Sequence, residues 1–217
     1  MSASEAFPRL GRLLKSPDWR RAALTGLAIS AGGLTESTMK AASQALLSHV
    51  NSLEEEALSD FLRLLNSLLR EQMKTERVLG PLIGVVERLM DSGALEVFAD
   101  QEQPDFLHEL VCLVVEGSRR KRNPAKVIAG LKAALGALQL PWGSRASEEA
   151  LVAGLKALGH VYPRVRRQAA TELYQALLTY GAMDNHSEQV LAVLLNTDWD
   201  KESRQTKDIR RRIADFL

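Results

Sequence analysis

The sequence predicts an all-α protein, a HEAT/armadillo-like helical-repeat solenoid of about eleven or twelve helices. Three observations predict it. Aromatic residues make up only 5% of the 217 positions while Leu and Ala are abundant; Ala and Leu lose least on entering a helix, and strands favour β-branched and aromatic residues. Apolar residues recur at i, i+3, i+4 and i+7 between helix start and stop signals. No stretch alternates apolar and polar residues for long enough to make a strand.

The elements follow in order. Pro17 after Ser16 predicts a helix start, and Gly32-Gly33 its stop. A second helix begins near Thr35 and fades at Asn51. Ser52 and Glu55 have the spacing of a capping box, opening a long helix with Leu58, Phe61, Leu62, Leu65, Leu68 and Leu69 on one face. Thr75 starts another, ended by Ser92-Gly93, and the short turn "ALEVF" follows. From Pro104 to Gly117 the stripe is Phe106, Leu107, Leu110, Val111, Val114 and Val115. Asn123-Pro124 reads as an N-cap with proline at the first helical position, and that helix ends before Pro141. Further helices are expected from about Ser147, Pro163, Ser187 and Asp200. Gly80, Gly84, Gly130, Gly136 and Gly154 fall inside helical patterns, where close crossings or bends explain them better than ligand loops. The starts at Ser147 and Ser187 are the same kind of helix about 40 residues apart, the period of two-helix HEAT and armadillo repeats. Residues 1–4 are expected to be a flexible N-terminus and 5–217 a single helical-repeat domain.

The stretch "HVYPRVRRQAATELYQALLTYG" places Arg164, Arg166 and Arg167 in the first turn of a helix. A helix N-terminus carries partial positive charge and favours carboxylates, so these arginines need compensation. Behind them Val165, Ala169, Leu173, Ala176 and Leu177 form one face, with alanine where neighbouring helices approach closely. A proline followed by Val165-Arg166, alanine and Leu173 looks like the second helix of a HEAT repeat. In such repeats the arginine commonly reaches an acidic side chain of an adjacent repeat. Arg166 is therefore expected to pair with a carboxylate at a repeat junction, with Val165 as its structural neighbour and Arg164 or Arg167 more exposed.

Bulk properties narrow the function. The net charge is +1, whereas a dedicated nucleic-acid binder usually shows a basic excess across the domain. One cysteine, Cys112, cannot form an internal disulfide, which points to a reducing compartment. The start "MSASEAFPRLGRLLK" lacks the apolar core of a signal peptide, and the longest uncharged stretch, "AALTGLAISAGGLT", is short of a bilayer span. A soluble cytosolic protein with no membrane or nucleic-acid partner is expected.

Few residues suggest chemistry. The four histidines, His49, His108, His160 and His186, are read as dispersed along the chain, with none at i+3 or i+4 from another histidine or the cysteine, and none is taken as a metal ligand. Cys112 lies in "LVCLVV" and reads as an inert core thiol. There is neither a phosphate-binding glycine loop nor a glycine-flanked nucleophilic serine. No catalytic residue, metal or cofactor is expected, and the protein is read as a non-enzyme.

Three basic clusters remain: Arg119, Arg120, Lys121 and Arg122; Arg164, Arg166 and Arg167; and Arg210 to Arg212. Each fits a solvated face with internal pairing, a surface for an acidic protein, or a nucleic-acid contact, the last weakened by interleaved acids and absent aromatic spacing. Trp199, in "NTDWDKE", either packs its ring under that turn or anchors a partner. The candidate protein-binding residues are thus Arg119, Arg120, Lys121, Arg122, Arg164, Arg167 and Trp199.

The stretch "LTGLAISAGGLTESTMK" (Leu24 to Lys40) resembles the C-terminal domain of the tubulin-folding cofactor D family, also called tubulin-specific chaperone D. The resemblance continues through "FPRLGRLL", "RVLGPLIGVVERLMDSGALEVF", "YPRVRRQAATELYQALLTY" and "LLNTDWDKE", in the family's order. It implies a helical-repeat protein of post-chaperonin tubulin folding that is cytoplasmic and associated with the microtubule cytoskeleton. The implied partners are β-tubulin, tubulin-folding cofactors C and E, and an Arf-like small GTPase. The implied activity is assembly of the α/β-tubulin heterodimer and, within the cofactor assembly, activation of tubulin's GTPase. The family's proteins are much longer, so the chain is expected to be a fragment or a shortened relative. The alternative is a HEAT-repeat scaffold for another cytosolic protein.

Overall fold

The apolar stripes become buried helix faces. The computed structural model describes residues 3–33, 35–99, 104–119, 123–180, 185–201, 204 and 206–216. Among them the chain forms α1 (Ala3–Leu13), α2 (Arg20–Ala31), α3 (Glu36–Val50), α4 (Glu55–Gln72), α5 (Glu76–Asp91), α6 (Asp105–Arg119), α7 (Pro124–Leu135), α8 (Arg145–Ala157), α9 (Pro163–Tyr180), α10 (Asn185–Asn196) and α11 (Lys207–Phe216). Single 3-10 turns lie at Glu96–Phe98 and Gly136–Gln139. No strand occurs among the described residues, and no helix there is long and apolar enough to cross a membrane.

Consecutive helices α4/α5, α6/α7 and α8/α9 pack as pairs, and the pairs stack. One layer is α4, α6 and α8; the other is α5, α7 and α9. At the N-terminal end α2 extends the second layer by packing on α5, and α1 and α3 pack on α2 and on each other. The repeat is clearest between α6 and α8, which begin 40 residues apart at Asp105 and Arg145. The helix at Asn185, matched to α8 on spacing alone, lies against α9 and α11, and α11 returns to α8. The all-α stack is as predicted, while the last helix pair departs from the stacking order of the pairs before it.

Burial explains the stack. The predicted face of α4, Leu58 to Leu69, is buried throughout, and fully burying one such side chain contributes about 1.5–3 kcal/mol. Glycines permit close crossings, Gly130 and Gly154 among them. A Cβ at Gly130 would stand 2.2 Å from Ser118 of α6, and one at Gly154 would stand 2.7 Å from Leu173 of α9. Gly80 instead faces open space, so close crossing does not account for it.

The helix starts confirm some signals and correct others. Asn123 accepts from the Ala125 N–H at 2.9 Å, with Pro124 behind it, as predicted. The capping box at Ser52 does not form. Glu54 takes the N-cap position of α4 without a side-chain bond, and the Ser52 hydroxyl donates back to His49 O at the end of α3. The last helix begins at Lys207, not near Asp200, because residues around Asp200 form a turn held by the contacts described below.

A ladder of ion pairs crosses successive helices, as HEAT packing implies, but it is carried by residues other than Arg166. Arg70 pairs with Glu109 between α4 and α6, and Arg145 with Asp105 at 2.7 Å between α6 and α8. Lys126 pairs with Glu76 at 2.7 Å between α5 and α7, and Lys132 with Glu172 at 3.2 Å between α7 and α9. Most of these side chains are exposed, so each pair contributes only about 0–1 kcal/mol.

Candidate functional site

Arg166 is 2% exposed, and its environment corrects the sequence expectation. It meets no carboxylate among the described residues. All five of its N–H donors go to main-chain oxygens. Nε donates to Trp199 O at 2.9 Å, and Nη1 to His160 O at 2.8 Å and Val161 O at 3.1 Å. Nη2 donates to Asp200 O at 3.2 Å and also to Lys201 O. A guanidinium is a planar fork with five donors and no acceptor, so a cage of carbonyls satisfies it completely. The carbonyl dipoles also offset a cation placed at the start of a helix. The result ties the turn before α9 to the turn after α10.

Trp199 sits in that same turn and is 5% exposed. Its indole Nε1 donates to Leu194 O at 2.9 Å. Its ring is therefore part of the core, which corrects its place among the partner-facing candidates: the residue anchors the turn, not a partner. Val165 is fully buried beside Arg166, as expected. His160 lies at the cage rim, and burial, then the Arg166 charge, lowers its pKa.

The neighbours of Arg166 point outward. Arg167 is exposed and pairs through Nε with Asp200 Oδ1 at 3.0 Å. Arg164 is exposed and has no ion pair among the described residues. Arg119 is exposed at the C-terminal residue of α6, an end that favours cations. It lines a cleft of about 330 Å³ with Lys156, Glu149 and His160, which brings the ends of α6 and α8 to one edge. Arg120, Lys121 and Arg122 lie outside the described residues. Of the predicted set, then, Arg119, Arg164 and Arg167 present cations on the turns, and Arg166 and Trp199 build the turn beneath them.

The expectation that no histidine stands three or four residues from the cysteine is corrected at His108. His108 and Cys112 are four residues apart on α6, so they share a helix face, and Cys112 is half-buried and not in the core. The spacing was the available signal; the third member, Glu149 on α8, joins them only through the fold.

Fold and site together define a helical-repeat protein, closed by a buried arginine at its C-terminal turn and edged with exposed arginines. A family model described as tubulin folding cofactor D C terminal matches residues 1–126. The chain belongs to this family. The matched span contains the first three of the resembling blocks, through "RVLGPLIGVVERLMDSGALEVF"; the arginine cage lies beyond it.

Proposed function

We propose that the chain is a non-enzymatic protein-binding module of post-chaperonin tubulin folding. In this reading it binds β-tubulin and takes part in assembling the α/β-tubulin heterodimer with cofactors C and E and an Arf-like small GTPase. Within that assembly it contributes to activating tubulin's GTPase, in the cytoplasm and in association with the microtubule cytoskeleton. The observation that carries the reading is the family match over residues 1–126. A stack of helix pairs offers the extended surface that repeat proteins use to bind other proteins. Exposed Arg119, Arg164 and Arg167 suit an acidic surface such as tubulin's, where complementary charge chiefly raises the association rate.

The test is binding of the purified chain to tubulin and to the cofactor assembly at moderate salt. Binding is expected, weakened by added salt. Reversing Arg119, Arg164 and Arg167 together to Glu is expected to slow association about tenfold or more. Absence of binding to both would overturn the proposal. Recovery from cytosol of some other protein in their place would favour a scaffold for a different partner.

A further inference from the structure

We infer that His108, Cys112 and Glu149 form a zinc(II) site that clips α6 to α8. His108 Nε2 and Cys112 Sγ lie 3.4 Å apart. These two atoms and a Glu149 carboxylate oxygen are all within 4.8 Å of one another. Zinc bonds of about 2.0–2.1 Å to nitrogen and 2.3 Å to sulfur, at tetrahedral angles, put those two ligands about 3.5 Å apart. The edge on α6 already has the ligating length, and the carboxylate needs to close by about 1.4 Å at most. A nitrogen, a thiolate and a carboxylate form a borderline donor set that suits zinc and not calcium or magnesium.

A thiol–imidazole hydrogen bond would account for the two atoms on α6. It does not account for the third. A carboxylate beside a half-buried thiol is unfavourable to the thiolate unless a cation joins them, and a dication reverses the local balance by deprotonating the thiol outright. Access is present. His108 borders an open cleft of about 560 Å³ shared with Asp105, Glu109 and Arg145, and Glu149 borders another of about 330 Å³, so two of the three ligands are reached from open clefts. Since the ligands come from two successive repeats, bound metal would hold that junction closed, and the folded state would gain stability by mass action.

The experiment uses the whole 217-residue chain with zinc(II) alone, and with cobalt(II) as a spectroscopic probe. One equivalent is expected to bind and raise the melting temperature. Cobalt should show a thiolate charge-transfer band with the visible bands of a tetrahedral ion. Cys112→Ser is expected to lose the charge-transfer band, and Glu149→Gln to weaken zinc at least tenfold; both should melt like the metal-free parent without metal, showing that they fold. Cobalt spectra lacking the thiolate band, or equal zinc affinity in the parent and both variants, would overturn the site and mark any binding as adventitious.

Discussion

The junction of α2 with α5 and the junction of α9 with the turn after α10 both send an arginine to main-chain oxygens, yet they are built in opposite ways. At the first, two helices that pack on each other both carry fully buried apolar residues, Leu24, Leu27, Ala28 and Ala31 on α2 and Leu82, Val85, Val86 and Leu89 on α5. Arg88 adds one bond across, from Nη2 to Ala31 O at 3.0 Å, and one to its own helix at Gly84 O. At the second, α9 has its own buried face, but the turn it meets, residues 197–201, buries a single apolar side chain, Trp199. There Arg166 gives every donor it has, three of them to the single turn Trp199 to Lys201. Where two helices share a broad apolar face, the arginine is an accessory. Where one side of the junction is a turn with a single buried apolar side chain, the arginine becomes the organising contact.

Removing each arginine tests this difference directly. Arg166→Met strips a buried cage of its charged donor and leaves carbonyls unpaired. The expected loss is about 3–5 kcal/mol in denaturant unfolding, the range for removing one partner of a buried charged contact. Hydrogen exchange should accelerate most over residues 185–216; uniform acceleration over the whole stack would break the contrast. Arg88→Met should cost only about 1 kcal/mol, the worth of an ordinary hydrogen bond. A loss matching that of Arg166→Met would show that the apolar face does not hold α2 on its own.

A smaller effect separates the two ends by pH. His49, near the N-terminal end, and His160, at the cage, are both held below the usual 6.5 by burial first, and then by the charges of Lys15 and Arg166. A lowered histidine pKa means that the unfolded chain takes up the proton first as pH falls. That contribution to stability is fully present above pH 6.5 and declines as the solution is acidified below it. His49→Gln and His160→Gln should each flatten the decline, and His160→Gln should do so chiefly in hydrogen exchange near α9 and the following turn.

Much of the fold was legible because it rests on local pattern. The stripe from Phe106 to Val114 and the face from Val165 to Leu177 specify their own burial, and Asn123-Pro124 specifies its own cap. The site was legible only in part. The arginine triplet marked the right turn, and Arg166 was singled out as the one that serves the fold. Its partners could not be read, because a main-chain carbonyl occurs at every residue and leaves no trace in side-chain pattern. Ser52 misled for a related reason: its hydroxyl had a nearer use in ending α3. Glu149 met His108 and Cys112 through tertiary packing, which no spacing along one helix records.

The cage has a further consequence for how this turn tolerates change. Arg166 holds residues 199–201 through their backbones alone. The side chains of Asp200 and Lys201 remain exposed, so replacing them leaves the anchor intact. The turn is thus a fixed perch with interchangeable surface groups: its position is set from beneath, while the chemistry it shows outward is free to drift or to be rewritten.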